Sequence, residues 1–459
     1  MTAAKTITTV DPRTGNDLAE YAIHTEAEVD TMLQQAASAQ PSWAGRTFEE
    51  RAEVIRGVGH ELRRRRSELA ELMAKEMGKP IAQGEAEADK CASACDYYAD
   101  ESASMLADVE RDSALSSAWT VYRPLGTVLA VMPWNFPLWQ VLRFAAPTLM
   151  AGNTGLLKHA SSVTGSALAI EELFVAAGAD DGCFRTLVLP SDRINGVIAD
   201  DRIAAVTLTG SEGAGRAVAK QAGEQLKPSV LELGGSDAYV VLHDANIEAA
   251  AEVCADSRLT NSGQSCIAAK RFIVVDSVAD AFVDAFASAL QERTVGDPLV
   301  AGTDVGPQAK ADLRDELHDQ VSASVEAGAQ LRFGGTIPEG DGAYYPVTML
   351  DAVRPGMKAF DEELFGPVAA VVRAKSEAEA IELANNSRFG LGGAVFTEDR
   401  ERGRQIAAYH MDTGNCFVNA KVASDPRLPF GGIGVSGYGR ELSETGIRAF
   451  MNAKTVAVA

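Results

Sequence analysis

The chain is poor in cysteine and has no long apolar run. Its 459 residues include six cysteines, which are scattered along the sequence. This usage is typical of proteins of the reducing cytosol and not of small disulfide scaffolds. No stretch approaches the ~20 apolar residues of a membrane-spanning helix. Residues 1–10 have one lysine and no apolar core, so we expect no secretory signal there and a cytoplasmic location.

Positive charge is also scarce. Lys and Arg number 42 against 64 Asp and Glu, which gives a formal net charge of -22 at pH 7. This balance argues against nucleic acid or an anionic membrane surface as a partner. The run of four arginines at 63–66 is interpreted as a solvated helix face rather than a nucleic-acid site. The overall field repels anions, so an acidic substrate needs a local cation for its capture.

Histidine is equally rare. The six histidines form no H-x-x-x-H pair and no Cys/His cluster, so we expect no catalytic metal. The composition, 46% hydrophobic and 23% charged, is that of an ordinary globular protein. A chain of this length exceeds the size at which one hydrophobic core stops growing, so we expect two or three domains.

The pattern of apolar residues predicts an α/β fold. Thr47 and Glu50 form a capping box before a helical stretch that ends near Gly78. Strands alternating with helices are then predicted at 128–131, 154–157, 185–189 and 203–208, with helices at 138–150, 166–177 and up to residue 226. A second series follows Glu232, with strands at 272–275, 368–372, 393–396 and 415–418. The alternation predicts two α/β domains with mostly parallel sheets, joined near Glu232.

Cys266 ends the sequence NSGQSC, which lies between a helical segment and a strand. A thiol in a glycine-containing loop is accessible to a substrate. Since the nucleophile is the thiolate, we expect nearby dipoles or cations to lower the pKa of Cys266. Taken alone, such a cysteine is more often structural than functional.

Glu232 lies between two leucines in LELGG. Burial among apolar side chains raises the pKa of a carboxyl group, which makes it a usable base near neutral pH. A glutamate that ends a strand and points to solvent is an equally good interpretation of this motif by itself.

Two further motifs surround rigid turns. In PWNFP, Asn135 could direct its amide N–H at a developing oxyanion, although an asparagine in an ordinary turn is the simpler interpretation. In FDEELFGP, Glu363 could accept hydrogen bonds from ribose hydroxyls, or the segment could be a solvated acidic loop.

Together, PWNFP, LELGG, GQSC and EELFGP, in this order and spacing, resemble the aldehyde dehydrogenase superfamily over nearly the whole chain. The combination of PWNFPLWQ, LLKHA and GQSC resembles its succinate-semialdehyde dehydrogenase branch. The resemblance implies a Rossmann-type parallel-sheet cofactor domain, an α/β catalytic domain and a small β oligomerisation element. We assign these to residues 1–110 with 127–232, to 233–430, and to 111–126 with 440–459.

The same resemblance implies a mechanism. Cys266 would attack the aldehyde, Asn135 and the Cys266 backbone N–H would hold the oxyanion, and Glu232 would activate the hydrolytic water. The presence of Glu232 favours a hydrolytic enzyme over a CoA-acylating one. Where some relatives carry a second cysteine two residues after the nucleophile, this chain has Ala268, so we expect no disulfide switch in the loop.

The resemblance also implies a dinucleotide cofactor. Many relatives carry a glutamate three residues after the lysine that matches Lys158, where it repels a 2′-phosphate; here Ser161 takes that place. We therefore expect NADP to be preferred and NAD to be accepted. Gly210, Ser211, Gly213 and Gly215 open a helix and suit a pyrophosphate, whereas the G-x-G-x-x-G at 432–437 is interpreted as a tight turn. The expected cofactor-binding residues are Trp134, Lys158, Ser161, Gly210, Ser211, Gly215, Glu363 and Phe365.

For the substrate, the resemblance implies succinate semialdehyde, with Arg143 binding its carboxylate; an arginine paired inside the domain is the alternative. Ser424 and Arg427 are further candidates for the same pocket. Relatives often have an arginine at the position of Thr260, which this chain lacks. Glutarate semialdehyde, a neutral aliphatic aldehyde, or a catalytically inactive structural role are the alternative functions.

The chain is also expected to self-associate. Residues 454–458 alternate as an edge strand that needs a partner, and the resemblance implies a homodimer or homotetramer. Cys91 and Cys95, four apart on a predicted helix, are interpreted as packing residues.

Overall fold

A computed structural model describes residues 5–459; the first four residues of the stretch predicted to lack a signal lie outside it. Its strands are β1 Thr6–Val10, β2 Asp17–Ala22, β3 Val109–Glu110, β4 Ser117–Pro124, β5 Thr127–Met132, β6 Thr154–His159, β7 Phe184–Thr186, β8 Ile203–Thr209, β9 Ser229–Glu232, β10 Ala238–Val241, β11 Arg271–Val275, β12 Gln330–Phe333, β13 Thr348–Asp351, β14 Val368–Ala374, β15 Gly392–Phe396, β16 Asn415–Val418, β17 Gly437–Tyr438 and β18 Met451–Val458.

The α-helices alternate with these strands after an N-terminal helical layer. They are α1 Glu26–Gly45, α2 Phe48–Arg64, α3 Arg66–Met77, α4 Ile81–Met105, α5 Trp139–Met150, α6 Thr164–Ala176, α7 Ile194–Ala199, α8 Glu212–Glu224, α9 Ile247–Leu259, α10 Asp276–Gln291, α11 Ala311–Glu326, α12 Lys358–Asp361, α13 Glu377–Asn385, α14 Arg400–Tyr409 and α15 Ser443–Ile447. No helix within residues 5–459 is long and apolar enough to cross a membrane.

The N-terminal helical layer follows the local signals in its sequence. Thr47 and Glu50 form the predicted capping box at the start of α2. The helical stretch is interrupted at Arg65, so it forms two helices, and α3 ends at Gly78 with φ 76°. The four arginines at 63–66 each pair with an acidic side chain, in agreement with a helix face rather than a free basic patch.

The first sheet has six strands in the order β17-β9-β8-β5-β6-β7, and all but β17 are parallel. The sequence predicts β5, β6 and β8 within two residues but not β17, and the strand predicted at 185–189 is observed only as the shorter β7. The reason is tertiary: Val188 exchanges hydrogen bonds with His24 of the N-terminal segment instead of continuing the sheet.

The second sheet has seven strands in the order β12-β13-β14-β11-β10-β15-β16, of which only β12 is antiparallel. Glu232 is the last residue of β9 in the first sheet, and Ala238 is the first residue of β10 in the second. The chain therefore passes from the first sheet to the second between these residues.

The third sheet has three antiparallel strands in the order β18-β4-β3. All eight residues of β18 pair with β4, and the other side of β18 has no strand partner within residues 5–459. The segment assigned from the sequence as 440–459 is a strand only from Met451, because its first part forms α15 and packs on α4 and α5.

The G-x-G-x-x-G sequence at 432–437 is not a phosphate loop in this fold. It forms a short 3-10 helix over Gly434–Ser436 and then β17, which pairs antiparallel with the end of β9 at Glu232. A Cβ at Gly437 would overlap the carbonyl oxygen of Leu231, so this close strand approach requires glycine.

Candidate active site

The loop that carries Cys266 has an unusual backbone. Asn261 and Ser262 have φ values of 54° and 57°, and Gly263 follows with 77°. Left-handed conformations of non-glycine residues cost roughly 1–2 kcal/mol each and persist where the surroundings hold them. A Cβ at Gly263 would overlap the carbonyl oxygen of Gly366, so glycine is required there. The left-handed conformations of Asn261 and Ser262 indicate that the surrounding structure holds this loop in place.

Hydrogen bonds hold the loop from both sides. The Asn261 side-chain amide donates to the backbone carbonyl of Asn135 at 2.7 Å, which ties the loop to the PWNFP turn. The buried Lys270 ammonium donates to the carbonyl oxygens of Ser265 and Cys266 at 2.7 and 2.6 Å. These contacts fix the direction in which the Cys266 side chain leaves the loop.

The Cys266 thiol is partly exposed at the junction of two cavities. Burial raises the pKa of Cys266 to about 12, and the positive charges of Lys270 and Arg143 oppose this effect only in part. The expectation of a lowered thiol pKa is therefore not met in the protein alone, because desolvation outweighs the two cations.

Glu232 is buried at the end of β9 and lines the second of these cavities, together with Cys266. Neither of its carboxylate oxygens has a hydrogen-bond partner within residues 5–459. Burial and the neighbouring carboxylate of Glu441 raise the pKa of Glu232 well above its ordinary value, while Arg143 lowers it. This agrees with the predicted desolvated carboxyl and not with a solvent-facing strand end.

Asn135 is buried beside the same loop. Its side-chain amide donates to the backbone carbonyl of Gln264 at 3.1 Å, and its side-chain oxygen has no partner within residues 5–459. Asn135, Glu232 and Cys266 all line one cavity. The structure thus brings together the three residues predicted to be catalytic, although they come from three different segments of the chain.

That cavity has a volume of about 440 Å³. Its lining includes most of the residues predicted to bind the cofactor, namely Trp134, Gly210, Ser211, Glu363 and Phe365. The Trp134 and Phe365 rings meet edge to face with centroids 5.7 Å apart. Glu363 accepts from the backbone N–H of Gly235 at 3.1 Å and pairs with Lys270 at 3.2 Å.

A helix N-terminus faces this cavity. Ser211 caps α8 by accepting from the backbone N–H of Ala214 at 3.4 Å. A Cβ at Gly215 would lie 2.6 Å from the Leu233 side chain, so glycine lets α8 pack closely on β9. The predicted phosphate-binding role of this turn is compatible with its exposed N–H groups.

Lys158 and Ser161 lie outside the lining of that cavity. Lys158 is the next-to-last residue of β6 and donates to Ser191 Oγ at 3.2 Å. Burial lowers its pKa, with a further contribution from the nearby charge of Lys310. Ser161 begins the 3-10 helix over Ser161–Val163, and Ala309, the residue before Lys310, packs on that helix. Lys158, Ser161 and the charge of Lys310 thus lie near the end of β6 in the first sheet.

The other cavity, of about 460 Å³, also has Cys266 in its lining. Arg143 and Ser424 line it as predicted. However, Arg143 forms an ion pair with the buried Glu441, so the alternative of an arginine paired inside the protein is also met. Arg427 does not line this cavity; it is exposed and pairs with Asp425, which removes it from the candidates.

Three charged residues that lie near Cys266 were not identified from the sequence. Lys270 had a usable signal, a lysine four residues after the cysteine at the start of a buried strand. Lys90 and Glu441 had none, because each reaches the site through contacts with residues more than 40 positions away. Within residues 5–459, no group of His, Cys, Asp and Glu side chains could hold a metal ion.

The family of the chain follows from its similarity to known proteins. The model of the aldehyde dehydrogenase family matches residues 1–456. The chain belongs to this family. The expectation drawn from the four motifs is therefore confirmed.

Individual relatives match over full length. A succinate-semialdehyde dehydrogenase of Mycobacterium ulcerans, named as NADP(+)-dependent, is 47% identical over 98% of this chain and 99% of its own. The Escherichia coli succinate semialdehyde dehydrogenase Sad, named with NAD(P)+, is 45% identical over 99% and 98%. The crystal structure of succinic semialdehyde dehydrogenase from Streptococcus pyogenes in complex with NADP+ has 37% identity and a TM-score of 0.96, covering 98% of this chain and 99% of that chain.

Proposed function

We propose that this protein oxidises succinate semialdehyde to succinate with reduction of NADP, and accepts NAD. One observation carries the proposal: Cys266 lines both cavities, one with the residues expected to bind a dinucleotide and one with cationic side chains. A nucleophile at such a junction can hold an aldehyde carbon between cofactor and substrate pockets. The names of the full-length relatives support this choice of substrate and cofactor.

The chemistry divides among three residues. The Cys266 sulfur attacks the aldehyde carbon, and the Asn135 amide with the Cys266 backbone N–H donates hydrogen bonds to the resulting oxyanion. A nicotinamide dinucleotide held by Trp134, Glu363 and Phe365 would supply the hydride acceptor for that carbon, and its positive charge would favour the thiolate of Cys266. Glu232 then takes a proton from water, whose oxygen attacks the thioester carbon and releases the Cys266 thiolate with succinate.

The cofactor proposal fits the residues present. The two carboxylate oxygens of Glu232 have no hydrogen-bond partner within residues 5–459. The Trp134 and Phe365 rings line the same cavity, where Glu363 lies close to Gly234. Neither Lys158 nor Lys310 has a carboxylate within 4.0 Å among residues 5–459. Position 161 carries a serine and not an acidic residue. We assign the preference for NADP to these two lysines, since a 2′-phosphate supplies the missing negative charge.

The remaining assignments follow from this function. We propose that residues 1–110 with 127–232 bind the dinucleotide, that 233–430 supply the nucleophile, and that 111–126 with 440–459 mediate self-association. We further propose that the enzyme is a cytoplasmic homodimer or homotetramer. The unpaired side of β18 supports self-association through this segment.

The function is tested by steady-state kinetics on succinate semialdehyde, glutarate semialdehyde and butanal, each with NADP and NAD. We expect the highest kcat/KM for succinate semialdehyde with NADP. A higher kcat/KM for either other aldehyde contradicts the substrate, and equal or better efficiency with NAD contradicts the cofactor preference. Cys266→Ser is expected to lower kcat by more than ~10³-fold, whereas Cys416→Ser, at another partly exposed cysteine, is the matched control.

A further inference from the structure

Lys90 places a cation in the cavity on the substrate side of Cys266. It projects from α4, and its ammonium lies 4.1 Å from the centre of the Trp139 ring and donates to Ser424 Oγ at 2.8 Å. No carboxylate lies within 4.0 Å of it among residues 5–459. A lysine has three N–H donors, so a single neutral acceptor leaves most of its capacity unused.

The charge of Arg143, in contrast, is already matched. Its guanidinium forms an ion pair with Glu441 and donates to Thr209 Oγ1 at 3.2 Å, and only 2% of its surface is exposed. Removing it would leave Glu441 as an uncompensated buried carboxylate beside Glu232. Arg143 is therefore tied to the charge balance of the general base.

Ser424 supplies a second donor next to Lys90. Its hydroxyl oxygen accepts from Lys90 Nζ and also from the Trp139 indole N–H at 3.0 Å. A serine hydroxyl has two acceptor lone pairs and one proton, so both lone pairs are used and the O–H must donate elsewhere. Ser424 lines the same cavity, which leaves its proton available to a ligand there.

We propose that Lys90 binds the carboxylate of the semialdehyde whose other end reacts with Cys266, together with Ser424, which the sequence already indicates as a candidate for this pocket. This inference rests on the proposed function and identifies the side chains that bind the carboxylate end of the substrate. One carboxylate oxygen accepts from the ammonium and the other from the hydroxyl, in a charge-assisted pair of hydrogen bonds. The Trp139 indole fixes both donors through its ring face and its N–H.

The surroundings of Lys90 make this position selective. Burial and the charge of Arg143 lower the pKa of Lys90 to about 8, although Cys91, Glu87 and Asp425 act in the opposite direction. A cation desolvated to this degree gains more from an incoming anion than a solvated one does. An uncharged aldehyde of similar length gives no such gain.

The test compares kcat/KM for succinate semialdehyde with that for butanal, which has the same four carbons and no carboxylate. We expect Lys90→Met to lower the ratio of the two by about 10- to 100-fold, chiefly through KM, because a charge-assisted hydrogen bond is lost. Ser424→Ala keeps the cation and is expected to lower the ratio by about 3- to 10-fold. Any effect of a variant on the Cys266 thiol or on Glu232 changes kcat/KM for both aldehydes and therefore cancels in the ratio.

Lys421→Met is the matched control, because this lysine lines the same cavity but is exposed. It should change the ratio by less than about threefold. Equal losses in Lys421→Met and Lys90→Met, or an unchanged ratio in both Lys90→Met and Ser424→Ala, overturn the inference. So does Arg143→Met if it alone abolishes the preference for the anion; we expect it to impair both substrates together.

Failure of the proposed function is distinguishable from failure of this inference. In the first case the unmodified enzyme itself shows no preference for succinate semialdehyde over butanal. In the second case the unmodified enzyme shows the preference and Lys90→Met retains it. Inhibition by the product succinate provides a second readout, and we expect its inhibition constant to rise in Lys90→Met by a similar factor.

Discussion

Glu232 and Glu441 are two buried carboxyl groups, and the charge of Arg143 acts on both of them. Burial raises the pKa of both groups, and Arg143 lowers both. Glu441 forms the ion pair with Arg143, whereas both carboxylate oxygens of Glu232 have no hydrogen-bond partner within residues 5–459. The cost of burying a charge is therefore less well offset at Glu232. The arrangement keeps one carboxyl as a base whose pKa lies above that of an ordinary glutamate.

Glu232→Gln is expected to separate the two halves of the reaction. Thioester formation does not need the base, so a burst of about one reduced cofactor per Cys266 should precede turnover slowed by about 10²- to 10⁴-fold. In the unmodified enzyme the raised pKa places the acid limb of thioester hydrolysis above the ordinary range of a glutamate, and activity falls as pH drops through it. Stopped-flow absorbance measures both phases; a variant without a burst, or with full turnover, rules out this role.

At the scale of elements, the two helices α5 and α6 are capped by carboxylates from other helices. Glu87 of α4 accepts from the backbone N–H groups of Leu138 and Trp139 at the start of α5, and pairs with the buried Lys79. Glu76 of α3 does the same for α6. Local capping boxes such as Thr47 and Glu50 can be found from spacing, but caps of this kind depend on how helices pack.

Glu76 offers a stability test away from the site. Its carboxylate accepts from the backbone N–H groups of Gly165 and Ser166 at 2.7 and 3.0 Å and from Ser166 Oγ at 2.6 Å. Glu76→Ala leaves these donors buried without an acceptor, so we expect the free energy of unfolding to fall by about 2–4 kcal/mol. Urea denaturation followed by circular dichroism measures the change.

Glu76→Gln is the matched control, since it keeps an acceptor and should cost less. Burial raises the pKa of Glu76 from 4.5 to about 7. Its stabilising contribution from the raised pKa is therefore full below pH 4.5 and is lost as pH rises through 7. The stability of Glu76→Gln relative to the unmodified protein should rise over this interval; a constant difference contradicts the burial argument.

At the scale of the whole molecule, the chain has a formal net charge of -22, although its site is proposed to bind an anion. Lys90, which lines the proposed substrate cavity and donates to Ser424, supplies a local cation against this overall charge. The third sheet adds a second whole-molecule feature, because β18 leaves one side unpaired within residues 5–459. Exposed strand edges of this length are usually covered in native proteins.

We therefore expect the enzyme to have a mass in solution of at least twice the 48.4 kDa of one chain, and removal of residues 451–458 to yield single chains. The physical reason is the loss of the strand whose free side can pair with another copy. Size-exclusion chromatography with light scattering measures both. Leu226→Asp, which changes an exposed apolar residue far from this sheet, should leave the mass unchanged. An unmodified protein of one-chain mass disproves the expectation.

Much of the architecture could be predicted because its signals are local. The alternation of strands and helices, the change of domain near Glu232 and the stop at Gly78 depend on residues close in sequence. The four motifs gave the family, and the residues proposed for catalysis do converge on one cavity. Their roles remain predictions until the variants are measured.

The sequence by itself determined the α/β class, the family and the positions of Cys266, Glu232 and Asn135, because short-range periodicity and motif spacing encode these. Only the tertiary structure decided that the Cys266 thiol has a raised pKa, that Arg143 is held by Glu441, and that Lys90 remains free of a carboxylate. Burial and charge pairing are sums over neighbours brought together by folding, and no local pattern contains them.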